Sequence, residues 1–95
     1  INPFAGGRWR SKELPRPELQ ALVRHFAGKG LAVALIGAGP DRQRNLEVIE
    51  PALADRVAAL DTDASVLQLA ASIRCLRFLV SSDSLAMHLA IAQHV

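Results

Sequence analysis

The stretch LAVALIGAGPD, residues 31–41, decides the fold of this 95-residue chain. Its first six residues are all apolar, which is typical of a strand covered on both faces in a parallel sheet. The glycines and the proline of residues 37–41 predict a turn, and we expect a helix over 41–50 that Pro51 ends or kinks. A buried strand that leads through a short turn into a helix predicts a β-α-β arrangement.

The same alternation continues toward the N-terminus. A helix is predicted to begin at Pro17 and to end at Gly28 and Gly30, since proline suits the first turn and glycine the end. Five apolar residues within it recur at helical spacing and form one buried stripe: Leu19, Leu22, Val23, Phe26 and Ala27. Residues 1–3 have the pattern of a strand end, and residues 4–15 form a glycine-rich, basic loop.

Toward the C-terminus, we expect a short strand near 56–60 and then a helix capped by Asp63 or Ser65. Its predicted buried positions are Val66, Leu69, Ala70 and Ile73. RFLVS, residues 77–81, is the last predicted strand, and residues 84–93 form the last helix. Strands that alternate with single helices predict an α/β fold with a parallel sheet between two layers of helices.

Composition narrows the class of protein. Half of the residues are apolar and no segment is of low complexity, so we expect a folded domain. The longest apolar runs are far shorter than a membrane span. A net charge of +2 is too small to indicate a nucleic-acid partner, although Arg8, Arg10 and Lys12 form a local basic cluster. Cys75 is the only cysteine, which excludes an internal disulfide and fits a reducing compartment.

Three loops are predicted at the carboxyl ends of the strands, where ligands bind in parallel α/β sheets: 4–15, 37–41 and 81–84. In the last loop, Asp83 is either only the N-cap of the following helix or part of a phosphate site built on the same free N–H groups. Ser84 offers a hydroxyl to such a phosphate. His88, one turn later, either donates to the phosphate or packs against the neighbouring strand.

The first two loops carry two more candidates. Lys12 is either solvated or neutralises a diphosphate at the last helix. Asp41 is expected to cap its helix, and its place at a strand end also allows it to hold a ribose hydroxyl. The segment GAGPDR, residues 37–42, is only weakly similar to a dinucleotide fingerprint, because Arg42 stands at its third glycine position. No spacing of Cys and His suggests a metal site.

Three motifs, in this order and spacing, resemble one family: NPFAG…SKELP, then ALIGAGPD, then LVSSDSLAMHLAIA. Together they resemble the C-terminal half of the lipopolysaccharide heptosyltransferases, glycosyltransferase family 9. Members of that family show N-P-G-A, S-K-R-W-P, a glycine-rich turn after the next strand, and S-N-D-S/T-G-x-x-H-L. The likeness extends over nearly the whole chain, and the last motif is the most specific.

The resemblance implies a GT-B fold of two Rossmann-like domains, of which residues 1–95 are a partial donor-binding domain without the N-terminal acceptor domain and the final strand and helices. It implies inverting transfer of heptose from ADP-heptose to lipopolysaccharide or a related acceptor, at the cytoplasmic face of the inner membrane and without a cofactor. Lys12, Asp83, Ser84 and His88 would hold the diphosphate sugar, Asp41 the ribose, and a loop at 60–63 the adenine. The general base would lie in the N-terminal domain, so we expect the 95-residue chain alone to be inactive.

Two positions depart from the family pattern. Leu85 stands where the family has a glycine that allows a phosphate to approach the backbone closely, which puts the donor pose in question. If the helix begins there, the backbone N–H of Leu85 still faces the ligand. Leu14 replaces the family tryptophan, and Trp9 comes earlier in the loop. The other hypothesis is a non-catalytic or NAD-type nucleotide-binding domain.

Overall fold

A computed structural model describes residues 1–3, 13–61, 65–81 and 85–95. The helices are α1 (Arg16–Gly28), α2 (Pro40–Val48), α3 (Val66–Arg74) and α4 (Leu85–Ala92). The strands are β1 (Val33–Gly37) and β2 (Val57–Asp61), and a short 3-10 helix, Pro51–Leu53, precedes β2. The predicted alternation of strand and helix is confirmed, including the short strand near 56–60.

The two strands pair in parallel, with Val33 opposite Val57 and Gly37 opposite Asp61. Residues 1–3 continue the hydrogen bonding on the other edge of β1, where Ile36 N donates to Ile1 O at 2.9 Å. Asn2 in turn forms a parallel bridge with Ser81, and its N–H donates to Val80 O at 2.9 Å. Across the sheet the segments therefore lie in the order β2, β1, residues 1–3 and Ser81. If the segments are numbered along the chain, this order is 3-2-1-4, which is the order of a Rossmann-type half-sheet.

The last predicted strand forms only in part. Of residues 77–81, Ser81 alone makes a bridge, and Phe78 is about half exposed. Among the described residues, the predicted strand over 77–81 is therefore limited to the bridge of Ser81 with Asn2.

Each face of the sheet has its own apolar core. On one face, Leu19, Val23 and Ala27 of α1 pack with Val33 and Leu35 of β1 and with Val48 of α2 and Val57 of β2. On the other face, Ile36 packs with Ile73 of α3 and Ala90 of α4. Helices thus cover both faces, because alternate residues of β1 point to opposite sides and both sets are apolar. The predicted fold class is confirmed.

Two helices differ from the predictions: α1 in the residue at which it begins, and α3 in the burial of one residue. α1 begins at Arg16, one residue before Pro17. In α3, the Ser65 side chain accepts a hydrogen bond from Gln68 N at 3.0 Å and so caps the helix as predicted. Val66, however, was expected to be buried and is 55% exposed, whereas Ile73 is fully buried. The spacing predicts which face of a helix is apolar, but it does not show how far along the helix the neighbouring elements reach.

Candidate functional site

The order of the strands reverses between Asn2 and Ser81. Segments one, two and three step away in one direction and segment four lies on the opposite side. In sheets of this type the ligand crevice lies beyond the carboxyl ends of the strands at such a point. The Asn2 side chain, which is almost fully buried, donates from Nδ2 to Ser81 Oγ at 3.0 Å. This hydrogen bond joins the two strand ends at the point where ligands bind in sheets of this type.

The base of the first loop is closed by the backbone. Leu14 N donates to Pro3 O at 2.8 Å, so the chain that leaves the sheet at Pro3 returns beside its starting point. A cavity of about 180 Å³ lies against this closure, lined by Asn2, Glu13, Leu14 and Ser81 together with neighbouring apolar side chains. Leu14, at the position of the family tryptophan, is half-buried and packs on the core of α1 and α2.

Arg44 on α2 joins the first loop to the second. Its Nη2 donates to Glu13 Oε2 at 3.0 Å, and its Nη1 donates to Asp41 Oδ1 at 3.4 Å. The Glu13 side chain is mostly buried, at 12% exposed, while that of Arg44 is half exposed. The hydrogen bond to Glu13 is the main cause that raises the pKa of Arg44, against a smaller opposing effect of burial. Arg44 therefore stays charged and holds two carboxylates at this edge.

Asp41 does not cap α2, so that part of its predicted role is wrong. The residue before the helix is Gly39, at φ 53°, and no side chain accepts a capping hydrogen bond there. Asp41 is the second helical residue, where a carboxylate is still favoured by the partial positive charge of the helix start. It is half-buried and engaged by Arg44. Its predicted contact with a ribose hydroxyl stays a prediction.

The last helix begins at Leu85, so the backbone N–H of Leu85 is among the first four, which have no acceptor within the helix. The helix thus begins at the residue that the sequence analysis required if the N–H of Leu85 is to face a ligand. His88 lies in the same first turn and its side chain is exposed. Both alternatives for His88, packing against the neighbouring strand and donation to a phosphate, stay predictions.

Three predicted site residues, Lys12, Asp83 and Ser84, lie outside the described residues, as do Arg8, Arg10 and Trp9. Among the described residues, no group of three or more His, Cys, Asp or Glu side chains is placed to hold a metal ion. Within the same part of the chain, none of the helices has the length and apolarity needed to cross a bilayer.

A family model described as glycosyltransferase family 9 (heptosyltransferase) matches residues 1–95. The chain belongs to glycosyltransferase family 9. Curated proteins and solved structures gave no significant match. Family 9 has the GT-B fold, with which the small α/β architecture and parallel strands agree. The family assignment confirms the resemblance that the three motifs predicted, and it makes the protein that contains this chain a glycosyltransferase.

In this family-9 chain, the glycines of GAGPDR are explained by packing and helix initiation. A Cβ on Gly37 would come within 2.8 Å of Asn45 Nδ2, and Gly39 has the positive φ that precedes the first turn of α2. The segment also follows β1, which lies one segment away from the Asn2–Ser81 pair, whereas a dinucleotide fingerprint follows the strand at the point where the strand order reverses. Both observations weigh against the NAD-type interpretation.

Sequence reasoning missed Asn2, Glu13 and Arg44 as parts of this candidate site. Asn2 carried a signal, because a buried polar residue at the end of a central strand needs a hydrogen-bond partner. No feature of the sequence pointed to Glu13 or Arg44. They stand 31 positions apart, and surface charges of either sign are common on helices and loops.

Proposed function

We propose that this chain binds a nucleotide-diphosphate sugar, ADP-heptose, at the crevice between Asn2 and Ser81, for inverting transfer of the sugar to the lipopolysaccharide core or a related acceptor. The observation that carries the proposal is the Asn2–Ser81 hydrogen bond at the point where the strand order reverses. The segments that contain Lys12 and the Asp83–Ser84 pair leave the sheet at these two strand ends. The family assignment supports the general activity.

The proposed reaction is a displacement at the anomeric carbon. A bond forms between the acceptor oxygen and that carbon while the bond to the β-phosphate oxygen breaks, and the electron pair leaves with ADP. Lys12, the Ser84 hydroxyl and the N–H groups at the start of α4 would stabilise the growing negative charge, as preorganised donors do. His88, exposed in the first turn of α4, would add a further donor. The acceptor proton would pass to a base outside residues 1–95.

Asp41 would hold the ribose. One of its oxygens accepts from Arg44 at 3.4 Å, a long contact, and a carboxylate has acceptor sites for further donors. β2 ends at Asp61, directly opposite Gly37 in the sheet, so the loop at 60–63 proposed for the adenine begins beside the Asp41 turn. The ribose and adenine would thus follow the sheet edge away from the diphosphate.

Titration of ADP, ADP-heptose and NAD into the full-length protein tests this proposal. We expect ADP and ADP-heptose to bind and NAD to bind far more weakly. Lys12→Ala should weaken binding of ADP-heptose and leave binding of adenosine unchanged, since only the former has a diphosphate. Tight binding of NAD with no binding of ADP-heptose would instead establish the NAD-type domain.

The proposal extends to the setting of the reaction. A lipopolysaccharide acceptor would place the full-length protein in the cytoplasm, in peripheral contact with the inner membrane, with the acceptor held by an N-terminal domain. The purified 95-residue chain is then expected to bind nucleotide weakly and to transfer no sugar. Sugar transfer by that chain alone, followed by release of ADP, would contradict this part of the proposal.

A further inference from the structure

Arg44 on α2 lies between two carboxylates. Its Nη2 donates to Glu13 Oε2 at 3.0 Å, and its Nη1 donates to Asp41 Oδ1 at 3.4 Å. We propose that this trio of Glu13, Arg44 and Asp41 sets the specificity for the ribose: it selects nucleotides whose ribose carries only hydroxyl groups and excludes nucleotides with a phosphate on the 2′ or 3′ oxygen. The inference rests on the proposed function, in which Asp41 meets the ribose.

The trio is negative overall, because two carboxylates face one guanidinium and all three groups are ionised near pH 7. A ribose hydroxyl can donate a hydrogen bond to a carboxylate, which only accepts. A phosphate offers acceptor oxygens and carries a charge of about −1.5 to −2 near pH 7, so a carboxylate repels it. The carboxylate that would hold a ribose hydroxyl would therefore reject a phosphorylated ribose.

Arg44 is kept from binding such a phosphate by its two partners. In nucleotide-binding domains, an arginine beside the ribose accommodates a 2′-phosphate. Here the Glu13 side chain is only 12% exposed, and a carboxylate so far removed from water needs a charged donor. The hydrogen bond to Glu13 is also the main cause that raises the pKa of Arg44. The guanidinium thus serves the two carboxylates, and the ribose meets a carboxylate and not a cation.

The start of α2 offers no substitute site for a phosphate. Its first residue, Pro40, has no N–H. The N–H of Asp41 donates to Ala38 O at 3.1 Å, and the N–H of the next residue, Arg42, donates to Gly39 O at the same distance. Backbone donors of the kind that bind phosphate at other helix starts are therefore occupied here by carbonyl groups of the turn.

Arg42 is the other cation of this turn and directly follows Asp41 in the chain. Its Nε atom is buried and has no hydrogen-bond partner among the described residues. A phosphate that did enter the site could therefore meet either arginine. Substitution of Arg42 and Arg44 one at a time distinguishes the two.

A second ion pair gives a matched control. Arg24 on α1 binds Glu50, which lies just after α2, so this pair also joins elements distant in sequence. Glu18 is a second carboxylate, exposed in the first turn of α1. The double variant Glu18→Gln with Glu50→Gln removes two negative charges, one of them paired with an arginine. It thus matches the loss of the Glu13 and Asp41 charges at another place on the protein.

Binding of AMP, adenosine 2′,5′-bisphosphate and adenosine 3′,5′-bisphosphate to the full-length protein tests the inference, because each bisphosphate differs from AMP only in the phosphate on the ribose. We expect AMP to bind about tenfold more tightly than either bisphosphate, or more. The double variant Glu13→Gln with Asp41→Asn should lose this preference, since Arg44 is then released from both carboxylates and the repulsion is gone.

Further substitutions in that double variant assign the effect to one residue. Adding Arg44→Gln should weaken binding of the bisphosphates again, whereas adding Arg42→Gln should not. The control, Glu18→Gln with Glu50→Gln, should keep the preference of the unsubstituted protein. AMP thus serves as the internal reference in every variant, and the ratio of affinities is the measured quantity.

Equal affinity of the unsubstituted protein for AMP and the bisphosphates would overturn the inference, and this result does not depend on whether any variant folds. An unchanged preference in the Glu13→Gln, Asp41→Asn variant, bisphosphate binding that survives Arg44→Gln, or the same loss of preference in the control would overturn it too. If ADP-heptose binds and the ribose phosphates are accepted, the inference alone fails. If neither ADP nor ADP-heptose binds, the proposed function fails.

Discussion

Asn45 on α2 and Gly37 at the end of β1 approach so closely that the Asn45 Nδ2 atom lies 2.8 Å from the place of a Cβ at residue 37. The same amide nitrogen donates to Ile36 O at 3.1 Å. Asn45 is fully buried, and its Oδ1 has no hydrogen-bond partner among the described residues. This contact brings β1 close to α2, the helix that carries both Asp41 and Arg44.

Gly37→Ala should destabilise the protein, because the added methyl group meets Asn45 and also backbone atoms of α2 at 3.1 and 3.2 Å. We expect a loss of about 1–3 kcal/mol in the free energy of unfolding. Thermal unfolding measures it, with Gly28→Ala as the control, since a Cβ at residue 28 would meet nothing within 4 Å. Equal melting temperatures for the two variants would show that α2 can move away from β1 freely.

Asn45→Ala should cost about 2–3 kcal/mol, since it removes a buried hydrogen bond and leaves a small cavity behind. Chemical denaturation gives the loss directly. Gln43→Ala on the exposed side of the same helix is the control and should change the free energy of unfolding by less than about 0.5 kcal/mol. A similar, small effect of both substitutions would mean that the Asn45–Ile36 bond contributes nothing measurable.

Asn2→Ala and Ser81→Ala should prove coupled, because each removes the same 3.0 Å hydrogen bond. A double-mutant cycle is expected to give a coupling energy of about 0.5–1.5 kcal/mol. Asn2→Ala should also weaken donor binding if the joined strand ends form the base of the site. Strict additivity of the two stability losses would argue against a direct bond between these side chains.

Ser65→Ala should lower stability by about 1 kcal/mol, because the Ser65 hydroxyl caps α3. Gln68 supplies only its backbone N–H to this contact, so Gln68→Ala is the control and should have little effect. Helix content and melting temperature together report the result. Ser65→Thr should retain most of the cap, and a loss as large as that of Ser65→Ala would contradict the capping role.

Local patterns predicted most of the fold, and three motifs predicted the family. The apolar run at 31–36 and the stripe from Leu19 to Ala27 each depend on neighbours a few residues away, so the sequence records them directly. Asp41 shows the limit of such rules. A capping residue type near a helix start is common, but here the N-cap position is occupied by Gly39, and Asp41 lies two residues after it.

The parts that the sequence did not predict depend on distant contacts. Glu13 meets Arg44 across 31 positions, and Asn2 meets Ser81 across 79. No periodicity connects such residues, since the topology of the sheet alone brings them together. Likewise, the helical spacing of α3 does not predict that Val66 is 55% exposed.

The backbone hydrogen bond from Leu14 N to Pro3 O holds the two ends of the first loop together. The entropy lost in closing a loop grows only slowly with its length, by about 0.6 kcal/mol for each doubling. Insertions between Pro3 and Glu13 should therefore cost the sheet little stability. The length of the first loop is thus a feature that can change among related chains without a change in the sheet that carries it.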